Sequence, residues 1–380
     1  MESFQTKIRK VIKFSLLLGY YLIWLLLDPS KFKKIKKEEI KKILIVHLGA
    51  VGELLFTTPM FPILKKALNC DISLMVSKGK ERIFENNPYV SEVLTYQEDF
   101  KENVSLLKKK NFDLALIIYP GSTKISLMCF FAKIKYRVAY SNGFKDGPAL
   151  FLTRKFFFLT KKHAIEKTFG VLEQINILDK NTKLEFYLSK KEKENLRKKL
   201  TSLKIKDYMI VHPSFSSVTQ SNYPSRLWPL DRYAEITDYL IEKYKVKVFL
   251  TGMPNEKMIS EKIKELAKNK KEIIVANELF ELRELATLIS NAKLLVSCGT
   301  GIVQIATAFD APIVLFEGKG DSFETIPQNS KKYYRFLHHP EVCVGCEKES
   351  CRKKTIECMK AITVNEVKNA INEIIKENYS

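Results

Sequence analysis

From Lys41 onward, short aliphatic runs alternate with longer stretches in which apolar positions recur every three or four residues. That is the pattern of parallel strands joined by helices. In the first half, Ile43 to Leu48, Ile72 to Val76, a short run near Val93 and Leu114 to Tyr119 read as strands. A lysine-rich helical segment ends near Leu200, and a second series then begins: Tyr208 to His212, Val246 to Thr251, Ile273 to Val275, Leu294 to Ser297 and Ile313 to Phe316. Val364 to Ile375 closes the chain as an amphipathic helix. The alternation restarts across residues 185 to 205, which predicts two α/β domains, 41–195 and 196–380, preceded by a distinct segment 1–40. A chain of 380 residues that is 46% apolar can fill two such cores. Two domains of this kind are expected to face each other across a cleft, with ligands beyond the carboxyl ends of the strands.

The segment before Lys41 breaks the pattern. Phe14 to Leu27 carry no charge, and basic residues stand on both sides: Lys7, Arg9, Lys10 and Lys13 before, Lys31, Lys33, Lys34, Lys36 and Lys37 after. A spanning helix needs about 20 apolar residues, so this run predicts a helix lying in a membrane interface, with Tyr20, Tyr21 and Trp24 at headgroup depth. A helix that spans the membrane fully and a buried core helix are the alternatives. The net charge of +21 favours anionic partners, and an anionic membrane surface would attract the flanking lysines. Much of the surplus, such as Lys190, Lys191, Lys193, Lys198 and Lys199, also reads as an ordinary solvated helix face. No nucleic-acid-binding module is recognisable, so no nucleic-acid partner is expected. There is no cleavable signal pattern, and the expected location is the cytoplasmic face of the inner membrane, peripheral or monotopic.

Of seven cysteines, Cys70, Cys129 and Cys298 sit in apolar surroundings and read as reduced core residues. Cys343, Cys346, Cys351 and Cys358 fall close together with spacing Cys-x2-Cys-x4-Cys-x6-Cys. Four thiolates suit a structural zinc ion; structural cysteines without metal, or an iron-sulfur cluster, fit the same spacing.

Several ordered motifs carry a family resemblance. Lys42 to Ala67 reads as strand, glycine turn and helix, with Gly52, Glu53, Thr58 and Pro59 in the turn and beyond; Asn87 to Val90 and His163 with Glu166 follow. The second half opens on Tyr208 to Pro213, then Ser214, Ser216, Arg226 and Trp228, Thr251, Gly252 and Glu256, and Ser297 to Ala308. Together these resemble the ADP-heptose:lipopolysaccharide heptosyltransferases, glycosyltransferase family 9. The resemblance implies the GT-B type of fold, two Rossmann-like domains, and metal-independent sugar transfer with no cofactor needed for catalysis. It implies an inverting reaction from a nucleotide-sugar, an ADP-sugar and most simply ADP-heptose, to a lipid-linked glycan such as the lipopolysaccharide core. Four positions depart from the family pattern: Glu53 stands for the Asp taken as catalytic base, Gly299 for an Asp, and Gln304 for a His. Arg226 stands for a lysine.

The resemblance makes Glu53 the candidate base for an acceptor hydroxyl, with Gly52 and His163 on the acceptor side. Read alone, Glu53 is a first-turn acid that offsets a helix dipole. Ser214, Ser216, Arg226, Thr251, Gly252, Glu256, Gly299, Thr300, Gly301 and Gln304 form the candidate donor site. Thr300, Gly301 and the following helix would hold the diphosphate on free backbone N–H groups, and Arg226 would add a forked cation. The plain readings are a strand-to-helix turn for the first two and a surface charge for Arg226. His212 fits a structural role. The competing functions are a non-catalytic or donor-altered protein of the same fold that binds nucleotide-sugar or glycan at the membrane, and a nucleotide-sugar epimerase.

Overall fold

The computed structural model describes residues 35–140, 151–156, 162–213, 226–318, 322–343, 351 and 353–379, together with Ser15, Leu18, Gly19 and Leu22. The chain divides into two compact units, one within Met1–Gly49, Pro59–Glu81 and Pro88–Asn181, the other within Ala50–Thr58, Arg82–Asn87 and Thr182–Ser380.

The first unit is built on six parallel strands: β1 (Lys42–His47), β2 (Asp71–Ser77), β3 (Val90–Tyr96), β4 (Leu114–Tyr119), β5 (Tyr136–Tyr140) and β6 (Arg154–Phe156). Their order is β3-β2-β1-β4-β5-β6, the Rossmann arrangement with its switch point between β1 and β4. Helices on both faces explain why β1 is aliphatic throughout its buried length rather than alternating. Leu44, Val46, Met75, Ala115, Ile117 and Cys129 belong to one core cluster. β5 and β6 lie outside the strands expected from the sequence. β5 carries a buried arginine, which reads as a break in an apolar run; Arg137 is accommodated because its Nε donates to the Phe151 carbonyl at 2.6 Å and its guanidinium lies over the Phe130 ring.

The second unit repeats the plan with β7 (Tyr208–His212), β8 (Lys247–Leu250), β9 (Ile273–Val275), β10 (Leu295–Cys298), β11 (Ile313–Phe316) and β12 (Tyr334–Leu337). The order β12-β11-β10-β7-β8-β9 is again the Rossmann order, with the switch point between β7 and β10. Two parallel sheets of this order are the GT-B-like two-domain architecture that the motifs implied. Trp228 is fully buried, edge-on to Tyr233 at 5.3 Å, and donates from Nε1 to the Ile362 carbonyl at 2.9 Å. It thereby ties the C-terminal segment to the sheet, where the helix Val364–Tyr379 buries Val367, Ala370, Ile371 and Ile374.

The division is not a single cut. Residues 82–87 are held to the second unit by Arg283, which is buried and donates to the Arg82 carbonyl at 2.8 Å and the Tyr187 carbonyl at 2.7 Å while pairing with Glu192 at 2.5 Å. Most of the apolar stretch Phe14 to Leu27 lies outside the described residues. Ser15, Leu18, Gly19 and Leu22 are helical and exposed, and no helix among the described residues is long and apolar enough to cross a membrane.

Candidate active site

The segments that follow β8 and β10 carry most of the expected donor residues. β10 ends at Cys298; Gly299 and Thr300 make the turn, and the helix Gly301–Ala308 begins at once. Thr300 is extended at the N-cap, and its side chain caps no backbone amide among the described residues. Its hydroxyl lies 3.5 Å from that of Ser297. The first turn of this helix therefore presents backbone N–H groups that its own cap does not occupy, the arrangement that attracts anions.

Arg226 reaches the same turn. Its Nη1 donates to the Gly299 carbonyl at 3.2 Å and its Nε lies 3.1 Å from Oε1 of Glu317, with one-fifth of the side chain exposed. This is a held guanidinium at the strand ends and not a free surface charge. Glu317 was not among the residues singled out from the sequence. Its only sequence signal is position, an acid directly after the apolar strand Ile313–Phe316.

Gly299 packs against the Glu317 carboxylate. A Cβ built on Gly299 would lie 2.6 Å from Oε2 and 3.0 Å from the carboxyl carbon of Glu317. Gly52 and Gly301 explain each other: a Cβ on Gly52 would fall 2.9 Å from the Gly301 Cα, and a Cβ on Gly301 would fall 3.1 Å from the Gly52 nitrogen. Only glycines allow the short helix Val51–Leu55 to cross the N-terminus of Gly301–Ala308 so closely. Gln304 stands at the same crossing, 3.3 Å from that Gly52 position. It is buried, its amide donates to the Thr325 carbonyl at 2.6 Å, and its Oε1 has no hydrogen-bond partner among the described residues.

Glu53, one residue beyond Gly52, is exposed, and its Oε2 accepts the Ala50 backbone N–H at 2.8 Å. It caps its own helix and still presents its carboxylate to solvent. Thr251 follows β8, is buried, and its hydroxyl lies 2.9 Å from Nδ1 of His212. Burial pushes the His212 imidazole down to about 3, so it is a neutral structural residue. After Gly252, the buried Glu256 accepts the Met253 N–H through Oε2 at 2.8 Å, and its Oε1 is without a partner among the described residues. Asn277 donates to the Met253 carbonyl at 3.0 Å and also leaves its Oδ1 unpartnered there. Two buried acceptors thus await donors in one place, and Asn277 is a second residue that sequence reading missed. Ser214 and Ser216 lie outside the described residues.

In the first unit, His163 is buried at the N-cap of the helix Ala164–Glu173, where Nδ1 accepts the Ile165 N–H at 3.2 Å. The described contacts make it a cap. At the end of β1, His47 accepts the Gly49 N–H at 3.1 Å, and Lys80 donates to the Gly49 carbonyl at 2.6 Å. Burial, helped by the Lys80 charge, lowers His47 to about 3.

Of the C-terminal cysteines, Cys346 lies outside the described residues. Cys358 is buried, with its sulfur and that of Met359 occupying the space beside Gly318. No group of three or more His, Cys, Asp or Glu side chains among the described residues is arranged to hold a metal ion.

The duplicated Rossmann sheet, with an arginine and a glycine-led helix at the strand ends of the second sheet, has the GT-B-like architecture. The chain belongs to glycosyltransferase family 9, the heptosyltransferase family, whose model matches residues 104–357. Lipooligosaccharide heptosyltransferase 2 of Haemophilus influenzae is 21% identical over 322 residues, covering 76% of this chain and 86% of that protein. The structure of a family 9 glycosyltransferase from Veillonella parvula is similar with a TM-score of 0.75 at 19% identity, over 91% of this chain and 99% of the other. The ADP-heptose lipopolysaccharide heptosyltransferase II of E. coli gives 0.73 at 18% identity, over 89% and 100%. An E. coli heptosyltransferase solved with ADP gives 0.61 at 18% identity, over 88% and 98%.

Proposed function

We propose that this glycosyltransferase moves heptose from ADP-heptose to a lipid-linked glycan, the lipopolysaccharide core, with inversion at the anomeric carbon. The observation that carries the reading is Arg226 held at the Gly299 carbonyl beside the N-terminus of Gly301–Ala308. A departing diphosphate needs charge stabilisation where its negative charge grows, and a fixed guanidinium with free backbone amides supplies it. Glu53 takes the proton of the acceptor hydroxyl as that oxygen bonds to the anomeric carbon. The bond from the anomeric carbon to the donor phosphate oxygen breaks on the opposite face, and the electron pair leaves with ADP. Glu256 supplies a buried acceptor for a donor hydroxyl through Oε1. ADP is favoured because one relative of the same fold, an E. coli heptosyltransferase, was solved both with ADP and with ADP-2-deoxy-2-fluoro heptose. No cofactor is needed in this scheme.

The acceptor is embedded in a bilayer, so an enzyme resting on the anionic cytoplasmic surface of the inner membrane would meet it by a search in two dimensions. The exposed Leu18 and Leu22 and the lysines around Phe14 to Leu27 support that placement.

Titration of the full chain with ADP, UDP and GDP, followed by product analysis with ADP-heptose and a heptose-deficient lipopolysaccharide acceptor, tests the reading. Selective ADP binding and an inverted heptosyl product are expected. Absence of ADP binding by folded protein, or turnover of another nucleotide-sugar in preference, overturns it.

A further inference from the structure

We propose that Glu317 is the positioning residue of the donor site, the group that fixes Arg226 for the leaving phosphate and that Gly299 exists to admit. β10 and β11 are adjacent parallel strands with Cys298 opposite Phe316, so residues 299 and 317 leave the sheet side by side at its carboxyl edge. The Glu317 N–H donates to the Leu337 carbonyl at 3.2 Å, which extends the β11–β12 ladder by one residue and anchors the backbone beneath the carboxylate. The Glu317 side chain is 4% exposed. A carboxylate so buried must be matched by a cation, and Arg226 matches it at 3.1 Å through Nε.

The guanidinium is planar: Nη1 donates to the Gly299 carbonyl, and Nε lies 3.1 Å from the Glu317 carboxylate as an ion pair. A hydrogen bond on one nitrogen and an ion pair on another restrict the orientation of the fork. The carboxylate also occupies the volume that a side chain at 299 would fill. Its nearest oxygen is 2.6 Å from the ideal Cβ position, closer than a Cβ approaches a non-bonded atom. Position 299 therefore accepts no side chain while Glu317 stays where it is, and the same space accepts an acid from either strand.

This inference rests on the proposed donor function, and the test separates the two. ADP affinity and donor kcat/KM are measured on the full chain for Glu317→Gln, Arg226→Ala, their combination, Gly299→Ala, Glu317→Gly, and the exchange Gly299→Asp with Glu317→Gly. Glu317→Gln is expected to lower kcat/KM at least tenfold in the wild-type background and less than threefold once Arg226 is gone, since a positioning residue acts through the group it positions. Gly299→Ala displaces the carboxylate and should match Glu317→Gln; it also carries the comparison if Glu317→Gln does not fold. The exchange should recover most of what Glu317→Gly loses. Equal effects of Glu317→Gln with and without Arg226, or an exchange no better than Glu317→Gly alone, overturn the positioning role and leave the donor site standing. A wild-type chain that binds no ADP removes the donor function first and the positioning role with it.

Discussion

The Gly301 Cα lies 2.9 Å from where a Cβ on Gly52 would sit. Two helices from distant parts of the sequence therefore meet glycine to glycine, and one carries Glu53 while the other follows the Gly299–Thr300 turn. Gly52→Ala and Gly301→Ala are each expected to cost about 1–3 kcal/mol by overpacking. Activity should fall further than that loss of stability accounts for, because both helices carry site residues. Denaturation midpoints compared with kcat/KM check this.

Glu53→Gln keeps an oxygen to accept the Ala50 N–H, so the helix cap survives. Turnover should fall on the order of a hundred- to ten-thousand-fold with ADP affinity unchanged, the signature of a lost general base. Equal turnover in wild type and variant would return Glu53 to a purely capping role.

Glu256→Gln leaves the Met253 contact available and removes the charge from the unpartnered buried oxygen. Binding of ADP should weaken about tenfold, as for a lost hydrogen bond to a charged group, and binding of inorganic diphosphate should not change. Calorimetry with both ligands separates recognition of the nucleoside from recognition of phosphate.

His47 and His212 are both held near 3 when folded, His47 by burial and the Lys80 charge and His212 by burial alone. An unfolded histidine titrates near 6.5, so between about pH 6.5 and 3 the unfolded chain binds more protons. Their contribution to stability is complete above about pH 6.5 and drops by roughly 1.4 kcal/mol per pH unit for each histidine as pH falls through that window. Urea denaturation at pH 7.5 and pH 5 should show the loss, and His212→Asn should reduce it.

Arg283→Met leaves the buried end of Glu192 without its cation. The Arg283 guanidinium holds that carboxyl at about 2. Removing one partner of a buried pair costs about 3–5 kcal/mol, and the Glu192 resonance should titrate at a pH nearer that of an ordinary carboxylate. A midpoint within error of wild type would show the pair to be dispensable.

The central strands were legible because parallel sheets covered on both faces leave continuous aliphatic runs. β7, β9 and β11 begin and end at the residues the runs indicated. β6, with three residues, and β12, reading Tyr-Arg-Phe-Leu, are too short or too polar at the sheet edge to leave such a run. The glycines at 52 and 301 were visible as a turn and a helix start. That they touch was not, since contact between segments so far apart is a property of packing. Glu317 and Asn277 were missed for the same reason: each meets its partner on another strand or loop, and a motif read along the chain holds only what is adjacent in order.

Gly299 bears on how active chains are told from degenerate ones. A test that asks for an acidic letter at that position would discard this chain. The carboxylate is nevertheless there, delivered by Glu317 from the next strand to within 2.6 Å of the place where position 299 would begin a side chain. Inventories of lost function among such enzymes are better taken over groups in space than over columns of letters.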